Sequence, residues 1–203
     1  VPQEMLQYVP LVGSLILGMG TERNSYTEIS KKIGIHTGGI RSSHFSSATV
    51  QDHQSIISYI FFNGKSLVEK IGDLFDLFDE LFSEYSFKNH KRLVEIIRSA
   101  KADMEDSIIP NGNHFVLARL QSYNSQIGKF DELTDGITYY RFLENLLKRV
   151  EKDPQEVAGQ FLKVAKRIFT KQNTIFNITC EKKDYKKIEK RVSRLYDLLS
   201  ESD

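Results

Sequence analysis

The sequence predicts an α+β fold, helix-rich, with a small, mainly antiparallel sheet that packs helices against one face. Two observations lead there. Through most of the chain apolar residues recur every three or four positions, the spacing of one face of a helix. Between Ile40 and Phe62 that spacing gives way to two runs rich in small, β-branched and aromatic residues, Ile40–Ala48 and Ser55–Phe62, joined by a polar turn near Gln51-Asp52.

Taken in order, Pro2 and Glu4 suit a helix start, where a missing N–H costs nothing and a negative charge meets the helix dipole. Pro10 admits two readings: it kinks one helix, or a second helix begins at Leu11 after a short first turn. From there Leu11, Leu15 and Gly18 share a face flanked by Val12, Ile16 and Met19, which predicts a helix buried on nearly all sides. Ser25 with Glu28 makes an S-x-x-E capping box for the next helix, which ends at Gly34. Gly38-Gly39 breaks the helical pattern ahead of the first strand, and Asn63-Gly64 ends the second. The second strand is almost continuously apolar and is expected to be central.

Ser66 is expected to cap a helix that turns Leu67, Ile71, Leu74, Phe75, Phe78, Leu81 and Phe82 inward. A long helix from Asn89 to Ile108 is broken at Ile109-Pro110-Asn111-Gly112-Asn113 and resumes from His114 to Gln126, with a loop from Gly128 to Asp135. Asp153-Pro154 opens a helix running from Gln155 to Phe169. Asn173–Cys180 alternates well enough for a strand. Asp184–Leu199 closes the chain as an amphipathic helix with Tyr185, Ile188, Val192, Leu195 and Leu199 inward.

Composition narrows the function classes. Of 203 residues, 40% are apolar and 27% charged, ordinary for one globular domain spanning 1–203. With 28 basic and 27 acidic residues the net charge is +1, so no global field draws the chain to nucleic acid or to a membrane. No apolar run reaches the roughly 18 residues that span a bilayer. The lone Cys180 allows no internal disulfide and favours a reducing compartment, cytoplasm or organelle matrix. Val1-Pro2-Gln3-Glu4 has neither an initiator methionine nor a basic leader segment, so the sequence is expected to be a piece of a longer polypeptide.

The chemistry-bearing residues are sparse. The five histidines form no pair at helical i, i+4 spacing; His44 and His53 could face one another across the hairpin, but no cysteine or carboxylate motif completes a cage. No metal is expected in this chain. Cys180, beside Ile178 in the expected strand, reads as a small buried hydrophobe. The lysines around Tyr185 are interrupted by Glu181, Asp184 and Glu189 and read as a solvated helix face rather than a nucleic-acid site. Gly18-Met19-Gly20 lacks the preceding strand and third glycine of a dinucleotide loop. The carboxylates from Asp73 to Glu84 read as a solvated face or, with Asp73, Asp76, Glu80 and Glu84, as an acidic wall able to attract basic peptides.

The order of elements from Tyr8 to Ser47 resembles the start of a domain in the inverted zincins, the pitrilysin and insulinase superfamily, and most closely its presequence-protease branch. In that family's catalytic domain an H-x-x-E-H helix runs into Gly-Thr and a second helix. Aligned on Gly20-Thr21, the histidine positions fall on Leu11 and Leu15 and the glutamate position on Ser14. The run Gly136-Ile137-Thr138-Tyr139-Tyr140-Arg141-Phe142-Leu143 is similar to the branch's G-x-x-Y-x-x-F-L signature. The resemblance spans nearly the whole chain and fits the third, non-catalytic domain, without the family's opening strand. It implies an α/β roll serving as chamber wall in a zinc-dependent oligopeptidase that degrades short unstructured peptides such as cleaved targeting sequences. Zinc would sit in the parent's first domain, none here, and the partners would be the other domains of the same polypeptide. A free-standing protein-interaction module that kept the fold without the enzyme is the alternative. The missing strand implies an open sheet edge, through which two copies could pair. If the zinc positions have degenerated, Leu11 and Leu15 should be buried and Ser14 should bond locally to backbone.

Overall fold

The computed structural model describes residues 1–52 and 54–201. A 3₁₀ turn over Gln3–Tyr8 leads into α1, Val9–Gly18, with Pro10 in its first turn, so the second reading of Pro10 holds. Helix α2 (Tyr26–His36) begins with the expected capping box: the Ser25 side chain accepts from the Glu28 backbone N–H, and the Glu28 carboxylate accepts from the Ser25 N–H at 2.8 Å. Strands β1 (Ile40–Ala48) and β2 (Ile56–Gly64) form one antiparallel hairpin in which Ile40 pairs with Gly64 and Ala48 with Ile56. Then follow α3 (Ile71–Ser83), α4 (His90–Ile108), α5 (Gly112–Ser122), α6 (Gln126–Thr134), α7 (Ile137–Lys152), α8 (Pro154–Ile168) and α9 (Tyr185–Asp197).

Period-two alternation divides the hairpin. Ser42, His44 and Ser46 of β1, with Ile60 and Phe62 of β2, face α1 and α6, while Phe45, Tyr59 and Phe61 stand exposed on the other side. The sheet is thus antiparallel with helices on one face. Helix α1 lies at the centre, packed on both strands and against α4 and α8. Gly13 allows the approach: a Cβ there would stand 2.8 Å from the Ser42 side chain. At the far end, Arg92 of α4 donates to the Gly18 carbonyl at 3.0 Å, satisfying one open carbonyl of the α1 terminus. Around α1 the core is completed by Leu93 and Ile97 of α4, Leu143, Leu146 and Val150 of α7, and Val157, Phe161 and Val164 of α8.

Several expectations are corrected. The loop expected from Gly128 to Asp135 is mostly helix α6, because Ser125 accepts from the Gly128 N–H at 3.0 Å and restarts the helix after Ser122. The segment Asn173–Cys180 forms no strand; among the described residues it has no pairing partner, the nearby bridge joining Thr170 to Ser200 outside it, and both Ile175 and Cys180 are exposed. β2 is not central: among the described residues it pairs with β1 alone. Ser66 caps nothing: a 3₁₀ turn over Val68–Lys70 intervenes before α3, leaving Leu67 exposed. In α9, Ile188 and Leu195 are buried but Tyr185 is half-exposed. His53 lies outside the described residues, so the expected His44–His53 pairing does too.

Candidate functional site

The two groups of residues singled out by sequence lie on α1 and α3, which pack against each other through the core. On α1, Leu11 is 4% exposed and Leu15 is fully buried, whereas Ser14 is exposed. The three positions therefore do not form one pocket: the leucines point into the core and the serine into solvent. A zinc site needs nitrogen, oxygen or sulfur donors converging on a point. Two leucines supply none, so this set does not fit the metal. Among the described residues, no group of three or more His, Cys, Asp or Glu side chains could hold a metal ion.

The acidic residues of α3, and Glu84 just past its end, are tied to their neighbours, each in a different way. Asp73 accepts from Lys70 and from His36 of α2, at 3.1 and 2.8 Å, and the hydrogen bond from Lys70 leads in holding its carboxyl below the usual range. Asp76 pairs with Arg191 of α9 at 2.7 Å. Glu84 pairs with the guanidinium of Arg23. Glu80 is buried and serves three partners. Its Oε1 accepts from the Thr21 hydroxyl and the Asn24 amide, each at 2.6 Å, and its Oε2 faces Lys32 of α2 at 3.5 Å. Burial alone would raise its pKa; the hydrogen bonds from Thr21 and Asn24, with Lys32, outweigh that and lower it.

Local backbone chemistry brings Thr21 and Asn24 to Glu80. Gly20 has φ +88°, and a Cβ there would lie 2.7 Å from the Asn24 carbonyl oxygen and from the Tyr26 nitrogen. This tight turn lets the Thr21 hydroxyl accept from the Asn24 N–H while donating to Glu80. The Gly-Thr pair that drew attention in the sequence thus shapes the α1–α2 turn and clips it to α3. Asp79, expected on the solvated face, is buried instead. Arg194 of α9 approaches its Oδ2 to 3.2 Å, but among the described residues neither carboxylate oxygen has a hydrogen-bond partner. Burial therefore dominates and raises its pKa, against the pull of Arg194.

The second motif is also structural. Gly136 caps α7, and a Cβ on it would collide with the buried Glu132 carboxylate, which accepts from the Thr138 N–H at 2.9 Å and pairs with Arg119 at 2.8 Å. Tyr139 stacks on Phe142 at 5.9 Å, and Leu143 fills the core. Sequence reasoning assigned no role to the cavity bordered by His44, His114, Asp131 and Asp135. These four come from β1, α5 and the end of α6, and only Asp131 and Asp135 are joined by a local spacing.

A family model for the associated domain of the M16 peptidases, subfamily C, matches residues 1–146. Similar proteins include Protein HypA of Clostridium perfringens, 27% identical over all of this chain and 21% of that protein. Presequence protease 1, chloroplastic/mitochondrial, of Arabidopsis thaliana is 29% identical over 98% of this chain and 18% of its own length. The mitochondrial presequence protease of Saccharomyces cerevisiae is 28% identical over 98% of this chain and 20% of its own length. The chain spans about a fifth of the length of these relatives.

Proposed function

The chain belongs to the peptidase-associated family of the M16 peptidases, subfamily C, and from that premise we propose that it serves as a non-catalytic wall domain in a zinc-dependent oligopeptidase acting on short unstructured peptides. One observation carries the reading: nearly the whole chain aligns with about a fifth of presequence proteases from a plant and a yeast. The chemistry on α1 supports a structural role, since the positions aligned with the zinc motif are two core leucines and a solvent-facing serine. Zinc would be held elsewhere in the polypeptide, and this domain's partners would be the remaining domains and the enclosed peptide. Asp73 and Asp76, the more exposed acidic members of α3, would meet a basic peptide by exchanging Lys70 and Arg191 for it. An organelle matrix or the cytoplasm would house such an enzyme.

The test compares the chain alone with the full polypeptide that would contain it, using a fluorogenic unstructured peptide with and without zinc and chelator. The full polypeptide should cleave in a chelator-sensitive way and the chain alone should not. Chelator-sensitive cleavage by the chain alone, or an inert full polypeptide, overturns the proposal.

A further inference from the structure

Away from the α1–α3 contact, a cavity of about 480 Å³ opens between β1, the start of α1 and helices α5, α6 and α7. Pro10, Leu117 and Tyr139 are among the residues that line it. Asp131 and Asp135, four residues apart at the end of α6, share one side of it. The Asp131 carboxylate accepts from the Ser46 hydroxyl at 2.8 Å, and among the described residues no cation pairs with it. Asp135 faces the His114 imidazole at 3.2 Å. His44, stacked 6.1 Å from Phe130, bonds the Ser58 hydroxyl; burial lowers its pKa, which favours the neutral ring. Burial raises the Asp135 pKa against the pull of His114, and among the described residues no ion pair offsets Asp131.

The Tyr139 side chain supplies an independent sign of a ligand. It is only 7% exposed, and its hydroxyl has no hydrogen-bond partner among the described residues. Tyr139 lines the cavity; burial, and then the negative charge of Asp135, push its pKa upward, so the phenol stays protonated. The hydroxyl oxygen is not closed off from solvent, so it is left open to bond a group that enters the cavity. The surrounding carboxylates and imidazoles form no metal-holding group.

We propose that this cavity binds one ammonium or guanidinium group carried on a short apolar stem, the chemistry of a lysine or arginine side chain. The cation meets the Asp131 carboxylate and donates to the Tyr139 hydroxyl oxygen, and its methylenes lie against Pro10 and Leu117. A charge-assisted bond to an otherwise unpaired carboxylate supplies most of the selectivity. The inference stands on the cavity alone and does not need the peptidase reading, so its failure leaves that reading intact.

The experiment titrates the full chain with N-acetylarginine amide, its uncharged isostere N-acetylcitrulline amide, and putrescine, following histidine ring signals by NMR. The arginine amide should shift the His44 and His114 signals, and citrulline amide should bind about tenfold more weakly or worse. Asp131→Asn should cost the arginine amide about tenfold in affinity, with a thermal melt confirming the fold. Tyr139→Phe should weaken it to a smaller degree, and Ser46→Ala, which leaves the charge in place, should bind like the parent chain. Tighter binding of putrescine than of the arginine amide would identify a free amine rather than a side chain as the carrier and still support the cation site. Equal binding of arginine and citrulline amides, or no binding of either cation, overturns the proposal.

Discussion

Helices α1 and α3 run through the same core and solve opposite problems. α1 carries no charged residue, and Val12, Leu15 and Ile16 are fully buried in it, so its place in the fold rests on removing apolar surface from water. α3 brings Leu77 and Leu81 to the same core but carries five acidic residues between Asp73 and Glu84 on or beside it. Each meets a cation from another part of the chain: α2, α9, the α1–α2 turn, or Lys70 just before the helix. The contrast teaches that burial here is non-directional around α1 and directional around α3. Trimming a methyl from α1 should weaken the whole domain, whereas changing a carboxylate on α3 should act in proportion to how deeply and how well it is bonded.

The largest effect is expected from Leu15→Ala. Removing a fully buried leucine costs about 2–5 kcal/mol in other cores. Chemical denaturation measures it, and a loss below about 0.5 kcal/mol would mean that α1 is not the centre of the core. Next comes Glu80→Gln, expected to destabilise by about 1–3 kcal/mol at neutral pH, because Thr21, Asn24 and Lys32 lose their common acceptor charge. Folding lowers the pKa of Glu80, so its contribution is present above the unfolded value near 4.5 and is lost as pH falls through the folded one. The gap between parent and variant should accordingly close in acid. A gap that stays constant from neutral pH down to strong acid would remove the charge from the account.

Asp79 should behave with the opposite sign, although it is the neighbouring residue. Folding raises its pKa, so its ionised form opposes folding at pH above the folded pKa, and that opposition disappears below the unfolded value near 3.8. Asp79→Asn is therefore expected to be relatively more stable at neutral pH than in acid, by less than Glu80→Gln changes. Paired melts of the two variants across acid and neutral buffers decide it, and parallel pH profiles would contradict the assignment. The smallest effect belongs to Asp76→Asn. Its pair with Arg191 is solvent-exposed, and such pairs contribute about 0–1 kcal/mol, less in high salt. A larger loss would show that the clasp between α3 and α9 is cooperative.

Much of this was legible in the chain. Most of the apolar stretches turned out helical near their expected bounds, since a period of 3.6 and caps such as Ser25 and Asp153 act within a few residues. The hairpin was legible for the same reason, its register running from Ile40–Gly64 to Ala48–Ile56. The two glycine motifs were visible as patterns, but their causes, a tight turn at Gly20 and the Glu132 carboxylate against Gly136, involve atoms that only folding assembles.

What the sequence determined by itself was therefore local: where helices start and stop, which stretch is the hairpin, and that α1 is too apolar to face water. The tertiary structure decided what depends on partners. Asn173–Cys180 alternates like a strand yet has no neighbouring strand to accept its hydrogen bonds, so it stays irregular. Asp79 and Glu80 are neighbouring carboxylates on one helix. One sits beside a guanidinium that does not align, the other beside a hydroxyl and an amide that bond it, and so their pKa values move apart. Likewise His44, His114, Asp131 and Asp135 come from three elements and share a cavity because α6 folds back between the sheet and α5. Charge and hydrogen bonding depend on distances of a few ångströms between residues far apart in the chain, and those distances exist only once the chain has folded.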